Sequence, residues 1–315
     1  MIKPLPPRTI SALAPPNTNY SYFENFQQNA FKPNADSFDL GNAWWLAELS
    51  LLAYAHEPFI NDTFSSSGLT AAGFGVEVIP KDDIQCCVIS NDKSTIVAFR
   101  GTQIDNFWGS LANWLTDVRF APFPDGFGGH VHKGFWDALS GVWSDLANRL
   151  GQLQNQAGAA RTLWFTGHSL GAAIATLAAD RTINELHLQV AGLYTFGSPH
   201  VGDDSFRSRF YSEGLGDKTF RFRNNRDIVT TVPPKFLYPH VGTLKYLDGS
   251  GQLQDIDDAQ LPGPPNVLRV AEQLLAGAVP GVLGGHLSLP IPDPIADHAP
   301  IYYAIHVWNN YAGTE

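Results

Sequence analysis

Apolar residues recur along this chain in two rhythms. In "VHKGFWDALSGVWSDLANRLGQL" (131–153) they fall at helical spacing, which predicts an amphipathic helix. "NVLRVAEQLLAGAV" (266–279) places them at 267, 268, 271, 274, 275 and 278, a second such helix, ended by Pro280. "NAWWLAELSLLAYA" (42–55) is apolar nearly all round and predicts a helix buried on every side. Shorter runs read as strands. "IQCCVIS" (84–90) and "STIVAFRG" (94–101) flank Asn91-Asp92-Lys93 and predict a hairpin. "RTLWFTG" (161–167), "LQVAGLYTFGSP" (188–199) and "KTFRFRNNRD" (218–227) predict further strands, with helices over 170–186 and 298–311. Strand and helix alternate from 84 to 227, so the expected fold class is α/β, a central, mostly parallel sheet covered by helices on both faces. Residues 1–37 show no period and read as a coil on the surface. Residues 248–294, rich in Gly, Pro, Asp and Gln, read as an insertion packed on the main body. With no internal repeat, 1–315 is expected to form a single domain.

Charge and composition narrow the partners. Twenty Lys and Arg against thirty Asp and Glu give a formal charge of −10, which argues against nucleic acid or an anionic membrane surface. A neutral lipid surface, gripped by apolar side chains, stays compatible. The two cysteines, Cys86 and Cys87, are adjacent and suggest buried thiols rather than a disulfide framework. "MIKPLPPRTISALAPP" has prolines where a signal peptide needs an apolar core, and no run of 18 apolar residues occurs. The expectation is a soluble protein without a transmembrane segment, cytoplasmic or exported without a cleaved leader. His130 and His132 share a strand face but lack a third ligand at sensible spacing, so neither a metal nor a cofactor is expected.

One short stretch carries chemistry. Gly167-His168-Ser169-Leu170-Gly171 fits G-x-S-x-G. The pattern alone is common by chance, and a serine there can simply cap a helix. What favours a nucleophile is the setting, after a strand and before a helix, where glycines allow a sharp turn that lifts the hydroxyl out of the sheet. The helix N-terminus adds a dipole and N–H groups suited to a developing oxyanion. His168, adjacent to the serine, should point away from its hydroxyl and reads as a packing residue.

A serine nucleophile needs a base and an orienting acid, in the chain order Ser, Asp or Glu, His. Asp227 ends an apolar strand and is the best acid; Asp203, Asp204 and Asp217 lie between strands. For the base, His298 at the start of the last helix competes with His286 in the insertion, with His240 behind them. His200 is too near the serine's own strand.

The motifs "IVAFRGT" (96–102), "NWLTDVRF" (113–120), "VHKGFWDAL" (131–139), "FTGHSLGAAIATLAA" (165–179), "YTFGSPHVGDDSF" (194–206), "FRNNRDIVTTVPP" (222–234) and "DHAPIYY" (297–303) occur in an order that resembles the class 3 lipases. These are α/β-hydrolases that include filamentous-fungal lipases and a feruloyl esterase. The resemblance covers roughly 42–245 and the final helix. It implies Ser169 as nucleophile, Asp227 as acid and His298 as base. It also implies an oxyanion hole made by Thr102 and the N–H of Leu170, with Asp117 holding the Thr102 hydroxyl. The chain departs from the family in three places. "QIDNFWGSLA" (103–112) is longer than the family's short lid, 248–294 is an insertion with a rival histidine, and the disulfides of the secreted members have no counterpart.

"QIDNFWGSLANWLTD" (103–117) sets Phe107, Trp108, Leu111, Trp114 and Leu115 in a helical pattern. Such a stripe fits a core as well as a lid that covers the site when closed and meets lipid when open. The expected function is a serine carboxylic-ester hydrolase, a lipase on acylglycerols that needs no cofactor and makes transient contact with a lipid interface. The alternatives are an esterase for soluble feruloyl-type or short-chain esters, a phospholipase A1, and a non-catalytic binding module on the same scaffold.

Overall fold

The computed structural model describes residues 2–81, 84–101, 107–116, 121–156, 161–263, 265–278 and 291–313. Its strands are β1 (Gly75–Lys81), β2 (Ile84–Ser90), β3 (Ser94–Phe99), β4 (Pro122–Pro124), β5 (His130–His132), β6 (Thr162–His168), β7 (Val190–Phe196), β8 (Thr219–Asn224), β9 (Thr243–Leu247) and β10 (Leu253–Gln254). Eight of them form one sheet in the order β1-β2-β3-β6-β7-β8-β9-β10, while β4 and β5 pair separately. The run β3, β6, β7, β8, β9 is parallel, and antiparallel partners close both edges. This is the α/β-hydrolase arrangement, and the β2–β3 hairpin turns at the expected residues.

The helices are α1 (Ile10–Leu13), α2 (Leu40–Leu52), α3 (Glu57–Ser66), α4 (Phe107–Thr116), α5 (Lys133–Asn155), α6 (Leu170–Leu186), α7 (Asp204–Ser212), α8 (Val267–Ala278), α9 (Asp293–Ala296) and α10 (Pro300–Ala312). Helices α5 and α6 cover one face of the sheet. Helices α2, α4 and α10 cover the other, and each face carries its own hydrophobic core. In β2 the two-residue period sends Cys86 into the α5–α6 core and Cys87 into the opposite one. Helix α2 buries every residue from Gly41 to Leu52, as its apolar circumference requires.

The N-terminal segment departs from the surface coil expected of it. Leu13, Phe23, Phe26 and Phe31 are buried in the α2–α10 core. The anchor is Glu48 on α2, whose buried carboxylate accepts bonds from Tyr20 Oη at 2.6 Å, Trp44 Nε1 at 3.0 Å and the Phe23 N–H at 3.2 Å. Aromatic residues without a period therefore fill a groove rather than form an element. Residues 248–294 contribute β10, α8 and the start of α9. Helix α8 packs on α4, and the Ile291 N–H donates to the Arg8 carbonyl at 3.1 Å. Among the described residues no helix is long and apolar enough to cross a membrane.

Candidate active site

The site forms at the C-terminal ends of β6, β7 and β8, where chain leaving a parallel sheet converges. Ser169 stands between β6 and α6 with φ 59° and ψ −128°, a left-handed backbone that few non-glycine residues adopt. Two close approaches make this turn possible. A Cβ on Gly167 would lie 2.3 Å from the Gly171 carbonyl oxygen, and one on Gly171 would lie 2.2 Å from the Phe99 carbonyl oxygen. Only glycine fits at either position. The Ser169 N–H donates to the Phe196 carbonyl at 3.0 Å, which pins the turn to β7. The serine therefore does not act as a side-chain cap of α6.

Three of the expected residues meet here. His298 Nε2 is 2.8 Å from Ser169 Oγ, and His298 Nδ1 is 3.0 and 2.9 Å from the two carboxylate oxygens of Asp227. A carboxylate only accepts, so Nδ1 carries the proton and Nε2 is left to accept from the serine hydroxyl. Asp227 and His298 are fully buried and Ser169 is 2% exposed. The surroundings exclude water and strengthen each of these bonds. Asp227 follows β8, as anticipated. His298 lies in the turn between α9 and α10, just before the Ala299 N-cap rather than inside the helix.

Two further residues hold Asp227, and local sequence gives no sign of either. Tyr303 Oη donates to Asp227 Oδ2 at 2.6 Å and accepts from the Asn224 N–H at 2.9 Å. Burial, and then the Asp227 charge, push the Tyr303 phenol well above its usual pKa, so it stays a donor. The Val229 N–H donates to Asp227 Oδ1 at 2.9 Å. Asp297, next to the histidine, takes no part in the chain. It accepts from Asn225 Nδ2 and the Arg226 N–H, and burial raises its pKa to about 6.

His168 is more than filler: its Nδ1 meets Tyr54 Oη at 2.9 Å and its Nε2 meets the His298 carbonyl at 2.7 Å. His240 stays out of the site, stacked on His200 at 3.6 Å, with Nε2 2.9 Å from the Thr230 carbonyl. Leu170 opens α6, so its N–H is one of those without a partner inside the helix. Thr102, Asp117 and His286 lie outside the described residues. Of the apolar stripe, Phe107, Trp108, Leu111 and Leu115 are buried and Trp114 is partly so. Phe107 meets the Tyr54 ring edge-on at 5.7 Å, and Trp108 Nε1 donates to the Ile10 carbonyl at 3.1 Å. His130 Nδ1 pairs with Asp203 and His132 caps α5.

The chain is similar to known lipases. A family model described as Lipase (class 3) matches residues 96–237. The chain is similar to a lipase of Rhizomucor miehei, at 36% identity over 159 residues, 48% of this chain and 41% of that protein. It is also similar to the secreted mono- and diacylglycerol lipase 1 of Fusarium solani, at 32% over 167 residues, 50% of this chain and 45% of that protein. The matched stretch thus spans less than half the length of either relative. A solved triacylglycerol lipase, described as having a serine protease triad at its catalytic centre, superposes with a TM-score of 0.58 at 28% identity. That match covers 71% of this chain and 89% of the other.

Proposed function

Because the chain belongs to the class 3 lipase family, we propose that it is a serine carboxylic-ester hydrolase that acts on acylglycerols. Ser169 Oγ attacks the ester carbonyl while His298 Nε2 takes its proton. Asp227 orients the imidazole and stabilises its charged form. The Leu170 N–H and Thr102 hold the oxyanion, the alcohol leaves with the proton from His298, and water then releases the acid from the acyl-enzyme. Residues 1–315 act as one unit, with 103–117 as a cover over the site and 248–294 as an insertion that supports it. The partner is a neutral lipid surface. The observation that carries this reading is the buried Ser169–His298–Asp227 chain, with links of 2.8 and 2.9 Å.

The test is Ser169→Ala, assayed on a soluble p-nitrophenyl ester and on a triolein emulsion beside wild type. Turnover should fall on the order of 10⁴- to 10⁶-fold with an unchanged thermal melt, and a phosphonate should label Ser169 alone. Activity that survives in the alanine variant would overturn the assignment. Wild-type cleavage of the soluble ester with none of triolein would replace the lipase by an esterase.

A further inference from the structure

His168 lies directly beneath the base, and the chemistry just described does not use it. Its ring centroid is 4.4 Å from that of His298, and the planes are tilted by 35°. The positions of its protons follow from its partners. The His298 carbonyl can only accept, so Nε2 carries a hydrogen. Burial first, and neighbouring His298 next, hold the His168 pKa well below the usual range, so the ring is neutral and Nδ1 is bare. Tyr54 must then donate to Nδ1. Its oxygen in turn accepts from the Gly101 N–H, and a Cβ on residue 101 would fall 1.9 Å from that oxygen. The direction of the chain is therefore determined from end to end: the Gly101 N–H donates to Tyr54 Oη, the Tyr54 O–H to His168 Nδ1, and the His168 Nε2–H to the His298 carbonyl.

We propose that Tyr54 and His168 are positioning residues, a relay that ties the loop of the base to the elbow and to the segment leading into Thr102, and so holds His298 at bonding range of Ser169. The inference rests on the ester-hydrolase reading. His298 lies in a turn, and its imidazole must satisfy Ser169 and Asp227 at once. A fixed carbonyl fixes the backbone from which that ring projects. The donor is also suited to its place. A lysine or arginine could make the same bond, but its charge would oppose the imidazolium formed as His298 takes the serine proton. A neutral histidine avoids this, provided its tautomer is set, and Tyr54 sets it. Without the Tyr54 hydroxyl the proton could move to Nδ1, which would turn a lone pair toward the carbonyl.

The experiment compares Tyr54→Phe, His168→Leu, His168→Gln and the double variant Tyr54→Phe/His168→Leu in the full chain. The substrate is a soluble p-nitrophenyl ester, and rates are expressed per site titrated with a phosphonate. A role in packing alone would lower the number of titratable sites and leave kcat per site unchanged. The relay predicts that kcat per site falls roughly tenfold in Tyr54→Phe and in His168→Leu, the effect of about one lost hydrogen bond, while KM stays within about twofold. His168→Gln, which returns an amide N–H near the Nε2 position, should recover much of the loss. The double variant should be no slower than His168→Leu, because members of one chain do not add. Wild-type kcat per site in both single variants, or losses that multiply in the double, would overturn the relay. Should His168→Leu fail to fold, Tyr54→Phe and His168→Gln decide the matter. Failure of the underlying reading looks different, since Ser169→Ala would then stay active or the phosphonate would label elsewhere.

Discussion

Asp227 is an anion in a fully buried position, and it persists there through its donors. Tyr303 Oη, the Val229 N–H and His298 Nδ1 supply them. Tyr303→Phe keeps the ring in place and removes one of the three, and it also leaves the Asn224 N–H without its acceptor. A hydrogen bond to a charged group contributes about 1.5–3 kcal/mol, so turnover should fall by roughly 10- to 100-fold with KM little changed. Unaltered steady-state kinetics in that variant would show that the tyrosine does not support the acid. At this scale, the residues legible in the sequence were those with a local signature. Ser169 has its glycines and Asp227 has the strand before it, while chain order leaves His298 in competition with His286 and His240 until the resemblance of "DHAPIYY" to the family selects it. Tyr303 and His168 have no such mark. Their partners lie 76 residues away at Asp227, and 114 and 130 residues away at Tyr54 and His298. Their roles exist only once the fold has brought the groups together.

Helix α4 acts as an element rather than as a set of contacts. Its apolar face is buried against α8, the N-terminal segment and Tyr54, and in the proposed reading it covers the site, where Ser169 is 2% exposed. To expose Trp108 fully would cost on the order of 4–6 kcal/mol, taking about 25 cal/mol per Å² over a tryptophan's 150–250 Å². An apolar interface removes that cost, so a displaced cover should become populated there. Rate against concentration of a short-chain ester should rise sharply at the solubility limit. Trp108→Ser, which removes both the apolar contact and the bond to Ile10, should raise the rate below the limit and shrink the step. A smooth saturating curve in wild type and variant alike would refute the cover. Elements with strong periodicity were readable in advance: α6 falls on 170–186, α8 lies within one residue of its expected ends, and β2 and β3 pair as a hairpin. The strand β1 and the helices α3 and α7 had no period strong enough to separate them from loop. The N-terminal segment has no period to read, because its rings pack singly into a groove that other elements create.

Over the whole molecule, burial of histidine sets the response to acid. Burial holds His168 and His240 well below the usual range and pushes His200 and His306 down to about 4. Between about pH 6.5 and 4 the unfolded chain binds these protons and the folded chain does not, so stability is present above that window and lost as pH falls through it. Each histidine can withdraw up to about 1.4 kcal/mol per pH unit there. Asp180 and Asp297, raised by burial to about 7 and about 6, have the opposite sign and gain stability on acidification. Glu48 and Glu213, also raised by burial, share that sign. The four histidines each lose stability across the whole span from about pH 6.5 to 5 and dominate, so the urea midpoint should be lower at pH 5 than at pH 7. A midpoint that holds or rises would contradict the balance. The sheet also separates the molecule into two halves that need not loosen together. Cys86 faces one core and Cys87 the other, and burial raises both thiols, Cys87 to about 12, so neither reacts while its core is closed. Adjacent in the chain, the two sulfurs are separate clocks. Their labelling rates under mild denaturant time the opening of the α5–α6 side and of the α2–α10 side independently, without any added probe site.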